Sequence, residues 1–389
     1  MNNDFNQIID RHNTNSVKWD FVSEKLGLNG DNLLPMWVSD YDFAAPEAVT
    51  SALHQRVDHG VFGYSERDNN YFQAVIEWFH SQHDVQIKPE WLATIDGVLP
   101  GIAMLLQNLT QVGDGIVIQT PGYGSFNKIV ELNQRVIIEN PLTEQDGRYE
   151  MDLVQLEECF KSGAKMMILC NPHNPVGRAW GYQDIEAVAT LCDQYGVWLI
   201  SDEIWSDLAM PNHTFCSALR LPEALSERLI VATAASKTFG LSSLRISNFV
   251  IQNSEVKRQF ETRMDAHGMD VSNCLSMSAA TAAYRHCAPW LDELKAYLQG
   301  NIDQLSEFLA QELPQVTMSK PEAGYLAWID CRALGLRDKE IEERCHAQGL
   351  IPSMGISFGK QGSGFIRLNL GCPQERLIDA CLRLKAALN

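Results

Sequence analysis

The sequence predicts an α/β fold, with a large domain on a mostly parallel sheet and a smaller α+β C-terminal domain. Three observations lead there. Short apolar runs recur through the middle of the chain, and helix-like segments alternate with them. Two of the runs, Met166-Met167-Ile168-Leu169 and Val197-Trp198-Leu199-Ile200, are apolar at every position, as strands buried on both faces require. From about Ala288 the texture changes to one long helical pattern, followed by mixed strands and helices.

The elements follow in order. Residues 1–45 are too few for a separate domain and are expected to join the C-terminal lobe, leaving 46–287 for the large domain and 288–389 for the small one. Asp96-Gly97-Val98-Leu99-Pro100-Gly101 is a glycine turn that opens a helix over Ile102–Leu109. Gly115–Gln119 is a strand, broken at Pro121-Gly122; a helix over 126–132 and a strand over 136–138 come next. Asp152, with Gln155 three residues later, marks a helix start, and Gly163 marks its end. Strands over 166–169 and 197–200 flank a helix from Asp184 to Tyr195, and strands over 229–232 and 248–251 complete the set. The last hundred residues give a helix over 289–313, strands over 316–318, 325–330 and 365–369, a helix over 338–347 and a final helix to Asn389.

Composition narrows the function classes. The 389 residues are 45% hydrophobic, enough for more than one lobe. A formal charge of −18 disfavours nucleic acid or an anionic membrane surface as a partner. An anionic ligand must then be held by local donors rather than by the overall field. The 10 cysteines are dispersed and form no C-x-x-C pair, so neither a disulfide framework nor a metal site is expected. Cys170 and Cys192 lie in apolar runs and suit small core positions. No signal-peptide pattern and no membrane-length apolar run is present, so a cytoplasmic location is expected.

In open α/β sheets ligands bind beyond the carboxyl ends of the strands. Asn174 follows the strand ending near Cys170, Asp202 the one ending near Ile200, and Lys237 the one ending near Ala232. Arg245 lies eight residues past Lys237, and Arg367 is set in Phe365-Ile366-Arg367-Leu368-Asn369. An amine nucleophile, a carboxylate, an amide and two guanidiniums make up the set needed to hold pyridoxal phosphate and an amino acid. Lys237 would join the cofactor aldehyde and later act as a general base at the substrate Cα. Asp202 would keep the ring nitrogen protonated, and Asn174 would donate to the ring's phenolate oxygen. Arg245 would take the phosphate and Arg367 the substrate α-carboxylate, each through a planar, permanently charged fork. Backbone N–H groups at Gly97, Val98 and Leu99 would add to the phosphate site at a helix N-terminus. Any one of these motifs alone is an ordinary turn, cap or salt-bridge partner. Their combination, with Asn174, Asp202 and Lys237 each after a strand end, carries the assignment.

The chain resembles fold-type I pyridoxal-phosphate enzymes of the class I/II aminotransferase superfamily, and within it the MalY/PatB-type cystathionine β-lyase (C–S lyase) branch. The resemblance rests on Asn15-Ser16-Val17-Lys18-Trp19-Asp20, Leu34-Pro35-Met36-Trp37-Val38-Ser39-Asp40 and Gly60-Val61-Phe62-Gly63-Tyr64. It continues through Cys170-Asn171-Pro172-His173-Asn174-Pro175-Val176-Gly177-Arg178, Ser201-Asp202-Glu203-Ile204, Ser236-Lys237-Thr238-Phe239 and Gly364–Asn369. It implies that Tyr123 stacks on the pyridine ring, that Ser236 joins the cofactor site and that Trp37 lies near the substrate. It also implies a homodimer with shared active sites, in which Tyr64 reaches the partner's phosphate. The activity implied is C–S β-lysis of cystathionine or a related cysteine S-conjugate, with aminotransfer between an L-amino acid and a 2-oxo acid as the alternative. His173 is expected to shape the loop rather than to act in catalysis. The chain departs from the branch pattern at Gly124, Trp205, Gly240 and Gly324. The indole of Trp205 can donate a hydrogen bond but cannot serve as an acid or base.

Overall fold

The apolar runs in the middle of the chain pair into one seven-stranded sheet. A computed structural model describes residues 3–30, 32–269 and 271–389. Across the sheet the strands run Leu92–Ile95, Ser247–Ile251, Leu229–Thr233, Trp198–Asp202, Met166–Cys170, Gly115–Thr120 and Val136–Pro141. Only Ser247–Ile251 runs against the others, pairing antiparallel with Leu229–Thr233 on one side and Leu92–Ile95 on the other. The parallel register sets Cys170 beside Asp202 and Asp202 beside Ala232, so these strands end level with one another.

Side chains alternate across the sheet, and both faces are covered. Val117, Met167, Leu199 and Val231 belong to one buried cluster, whereas Ile116, Ile118, Ile168, Ile200 and Ile230 belong to a second. Full burial of such a side chain contributes roughly 1.5–3 kcal/mol, and this repeated gain holds the strands in register. Helix Tyr182–Tyr195 supplies Ile185, Val188 and Cys192 to the first cluster; helix Val98–Leu109 supplies Ile102, Leu105 and Leu106 to the second.

A second sheet has four antiparallel strands in the order Thr317–Ser319, Leu326–Asp330, Phe365–Asn369 and Ser353–Met354. Trp328 stacks on Phe365 with ring centroids 4.9 Å apart and anchors the middle pair. Leu34–Pro35 pairs in parallel with Leu350–Ile351, which ties the N-terminal segment to C-terminal residues. Helices Ala288–Glu312 and Gln374–Leu388 pack Leu291, Leu294, Leu298, Leu377 and Leu384 into the first cluster.

Most element boundaries agree with the sequence reading, and the differences have local causes. Asp152 accepts from the Gln155 N–H at 2.9 Å, and Gly163 follows the helix end at φ +103°. The first site helix begins at Val98 rather than Ile102, because a proline in the first turn removes only an N–H that has no helical partner. Helices Glu47–Asp58, Asn69–His83, Ser254–Ala266 and Cys274–His286 and strand Leu92–Ile95 lie outside the sequence reading and emerge only in the fold. No helix among the described residues is long and apolar enough to cross a membrane.

Candidate active site

Where the parallel strands end, the chain leaves a cavity of about 780 Å³. Its walls come from both sheets. Asp202 closes its own strand, and Asn174 follows the strand ending at Cys170. Ser236 and Lys237 lie on the short helical turn Ala235–Thr238, and Arg367 comes from the middle of the four-stranded sheet. Gly97, Val98, Leu99, Tyr123, Arg245 and Trp37 line the same space. The expected residues therefore meet, with one exception. Tyr64 is 97% exposed and lies outside the cavity of its own chain.

Asp202 is buried and accepts one hydrogen bond, from the Ile204 N–H at 3.1 Å. Burial pushes its carboxyl up to about 7; the Ile204 N–H and the nearby Lys237 oppose that rise. Lys237 donates from Nζ to the Ser39 carbonyl at 2.6 Å, and the amine lies 5.6 Å from the centre of the Trp205 ring. Burial pulls its ammonium down to about 8, helped by Arg367 and opposed by Asp40 and Asp202. An amine in that range releases its proton near neutral pH, as a nucleophile and general base must.

Arg367 donates from Nη1 to Asn174 Oδ1 at 3.0 Å, and from Nη2 to the Trp37 carbonyl at 2.7 Å and Ser353 Oγ at 3.1 Å. Its guanidinium lies 4.7 Å from the centre of the Phe358 ring. Burial lowers it to about 10, so it remains a cation at neutral pH. With its oxygen committed to Arg367, Asn174 keeps its amide N–H groups as free donors.

The other end of the cavity presents hydrogen-bond donors. Gly97 caps helix Val98–Leu109 at φ +107°, a conformation that L side chains rarely adopt. A Cβ there would also stand 3.5 Å from Nη2 of Arg245. Arg245 itself has φ +47° and donates to the Asp96 carbonyl at 3.2 Å. A non-glycine residue held in that region is uncommon and marks a position fixed by its surroundings. The opening N–H groups of the helix lack intrahelical partners, so they and the guanidinium make a donor set that favours an anion.

His173 does not line this cavity. It is buried, bonds through Nε2 to the Pro121 carbonyl at 2.8 Å, and burial lowers it to about 4, so it is neutral. Cys170 and Cys192 are both buried. Three contributors to the site were not singled out in the sequence. The Ser39 carbonyl is a backbone group and has no residue-type signature. Tyr325, which donates to that same carbonyl at 3.3 Å, and Phe358 look like ordinary core aromatics until the fold brings them in.

Comparison with known proteins places the chain in a family. The profile of the family described as aminotransferase class I and II matches residues 31–384, a span that includes every site residue named above. The chain belongs to the class I and II aminotransferase family. Within that family it is 40% identical to cystathionine β-lyase PatB of Bacillus subtilis, over 99% of this chain and 100% of that one. It is 34% identical to protein MalY of Escherichia coli, over 96% of each. Cystalysin of Treponema denticola, whose structure contains pyridoxal 5′-phosphate, superposes with a TM-score of 0.96 at 32% identity, covering 100% of this chain and 99% of that one. The PLP-bound C–S lyase of Staphylococcus hominis superposes with a TM-score of 0.92 at 29% identity, covering 100% and 98%. The aminotransferase fold type I expected from the sequence is thus the fold of this chain.

Proposed function

We propose that this protein is a pyridoxal-phosphate-dependent C–S β-lyase. It would cleave L-cystathionine or a related cysteine S-conjugate, with water, to a thiol, pyruvate and ammonia. The observation that carries this reading is the cavity's charge inventory: Asp202, Lys237, Arg245 and Arg367 are its only charged lining side chains among the described residues. Each has a distinct task there, and none is left over. The close relation to cystathionine β-lyases favours lysis over the aminotransfer alternative.

The donor set fits the cofactor. Arg245, Ser236 and the N–H groups of Gly97, Val98 and Leu99 would hold its phosphate. Tyr123 would pack on the ring face, Asn174 would donate to the ring oxygen, and Asp202 would hold a proton on the ring nitrogen. When bound, pyridoxal phosphate supplies an aldehyde that joins an amine and a protonated ring that takes up the electron pair left at Cα. Lys237 would bind the aldehyde carbon and, once released, take the Cα proton from substrate. Arg367 would grip the substrate α-carboxylate, with Trp37 and Asn174 beside it. The Cβ–S bond would then break as a Cα–Cβ double bond forms, and the sulfur would leave with the bonding pair as a thiolate that takes up a proton.

Two further readings accompany this one. We propose a homodimer in which Tyr64 of each chain reaches the other's phosphate site, supported by its exposure and by the adjacent exposed Val61 and Phe62. We also propose the domain division 1–45 with 288–389 against 46–287, supported by the pairing of Leu34–Pro35 with Leu350–Ile351. A cytoplasmic location suits this chemistry.

The decisive test supplies purified protein with L-cystathionine and no 2-oxo acid, following pyruvate and free thiol. Release of both supports the lyase. Aminotransfer to an added 2-oxo acid without thiol release would replace that reading with the alternative. In a parallel arm, borohydride treatment of the pyridoxal-phosphate-loaded protein should leave the cofactor's mass on the peptide containing Lys237. An unlabelled Lys237 would remove the cofactor assignment altogether.

A further inference from the structure

Asp207 lies five residues past Asp202, in the short turn Ser206–Leu208, and the chemistry above makes no use of it. Its buried carboxylate collects three donors. His83 Nε2 at 2.7 Å and Trp78 Nε1 at 3.0 Å both bond Oδ1, while the Thr238 hydroxyl bonds Oδ2 at 2.6 Å. An ionised carboxylate only accepts, so the His83 proton sits on Nε2. Burial alone would push the Asp207 carboxyl up. The His83, Thr238 and Trp78 donors outweigh burial and hold it below the ordinary carboxylate range. Trp78 and His83 both belong to helix Asn69–His83, far from the cavity in sequence. Thr238 is the residue after Lys237 and closes the turn Ala235–Thr238.

That turn needs an anchor. The Phe239 N–H closes it onto the Ala235 carbonyl at 3.0 Å, and the Leu241 N–H reaches the Ser236 carbonyl at 2.9 Å. A helix of one turn gains too few hydrogen bonds to offset the cost of fixing its dihedrals. Its side chains divide the work. Lys237 faces the cavity, whereas Thr238 and Phe239 are fully buried, with Phe239 packed against Trp78, Tyr284 and Trp290. Phe239 supplies non-directional packing. The Thr238–Asp207 hydrogen bond is directional, and it fixes the rotation of the residue adjoining the lysine.

We propose that Asp207 is a positioning residue, which, held by His83 and Trp78, fixes the Lys237 turn through Thr238. It thereby sets where the Lys237 amine meets the cofactor aldehyde and the substrate Cα. This rests on the pyridoxal-phosphate reading of Lys237. A nucleophile triad built from the same residue types is ruled out by geometry: the Thr238 hydroxyl donates to the acid instead of to a base and has no exposed surface. The competing account is a buried acid that only stabilises the core.

The test compares Thr238→Val, which keeps the volume and loses the donor, with Thr238→Ser, which keeps the donor. Two quantities report position rather than stability. One is the rate at which cofactor-free protein joins pyridoxal phosphate to Lys237, followed by visible absorbance and by mass after borohydride. The other is the split between kcat and KM. Misplacing a reacting group by an ångström can cost about 100-fold, so in Thr238→Val both kcat and the joining rate should fall roughly 10–100-fold with KM within about threefold. Thr238→Ser should recover most of both losses, and Asp207→Asn should resemble Thr238→Val. A Thr238→Val protein with wild-type kcat and joining rate, but a lower Tm, would overturn the proposal in favour of the core acid. Should Thr238→Val not fold, Thr238→Ala against Thr238→Ser carries the same comparison without excess volume. Failure of the wild type to join the cofactor at Lys237 would overturn the lyase reading as well, and it would be seen before any variant is compared.

Discussion

Nη1 of Arg367 donates to Oδ1 of Asn174 at 3.0 Å, so the guanidinium proposed to bind substrate also orients the amide proposed to bind cofactor. The two residues are 193 positions apart: Asn174 follows a strand of the seven-stranded sheet, and Arg367 lies within the four-stranded one. Closing this contact completes the cavity wall. It also couples the two proposed binding roles, so that deletion of one side chain should disturb both.

Arg367→Lys should therefore damage both. Lysine has no planar fork, so KM for an L-amino-acid substrate should rise at least tenfold, an energy of about 1.4 kcal/mol. With its oxygen released, Asn174 can turn, and the cofactor should also dialyse away faster than from wild type. Substrate titration and absorbance after dialysis check the two halves. A wild-type KM with only a lowered Tm would mean that Arg367 merely ties its strand to neighbours.

Asp202 gives a pH prediction for the cofactor-free protein. Its carboxyl ionises at about 7 when folded, above its ordinary value of 3.8. Between those values the folded state holds a proton that the unfolded state has lost, so stability falls as pH rises and the loss is complete above about 7. Asp202→Asn removes the titration. The variant should be more stable than wild type by roughly 2–4 kcal/mol at pH 8, with that gain shrinking towards pH 4. Urea unfolding of both proteins across this range measures the difference. A pH-independent difference would show that the carboxyl is ionised throughout. In the holoenzyme the same variant should lose most of its turnover while still binding cofactor.

Exposed apolar side chains mark the expected subunit contact. Val57, Val61, Phe62 and Tyr64 are 52%, 63%, 58% and 97% exposed within one short stretch. Clusters of this kind on a folded chain usually meet a partner. Sedimentation should find a dimer, and Phe62→Glu should shift it towards monomer with a parallel loss of turnover. Fully active monomers would count against any role for Tyr64 across the interface.

Gly324 and Trp205 form a matched pair. Gly324 has φ +82°, and a Cβ there would come 3.2 Å from the Trp205 ring. Gly324→Thr should cost about 1–3 kcal/mol through backbone strain, and more if the indole is displaced. Thermal unfolding checks the loss. A Trp205→Ala background should recover the steric part and leave the strain. Equal losses in both backgrounds would show that the ring does not confine this glycine.

Local pattern was enough for much of the molecule. Continuous apolar runs announce strands buried on both faces, and the Asp152 cap and Gly163 stop bound a helix through chemistry confined to a few neighbouring residues. Because the parallel strands end level, Asn174, Asp202 and Lys237 could be placed at one edge from sequence order alone. What the sequence left open depends on residues far apart along the chain. The Ser39 carbonyl that accepts from Lys237 is 198 positions away and is a backbone group, invisible in residue type. The Arg367–Asn174 contact and the His83–Asp207–Thr238 network each join separate elements. Strands as short as Leu34–Pro35 and Leu350–Ile351 have no periodicity of their own and exist because each finds the other. The sequence by itself determined which chemical groups are present and on which strand ends they stand. Only the tertiary structure decided how they face one another, since hydrogen-bond direction and burial arise from packing between elements and not from local propensity.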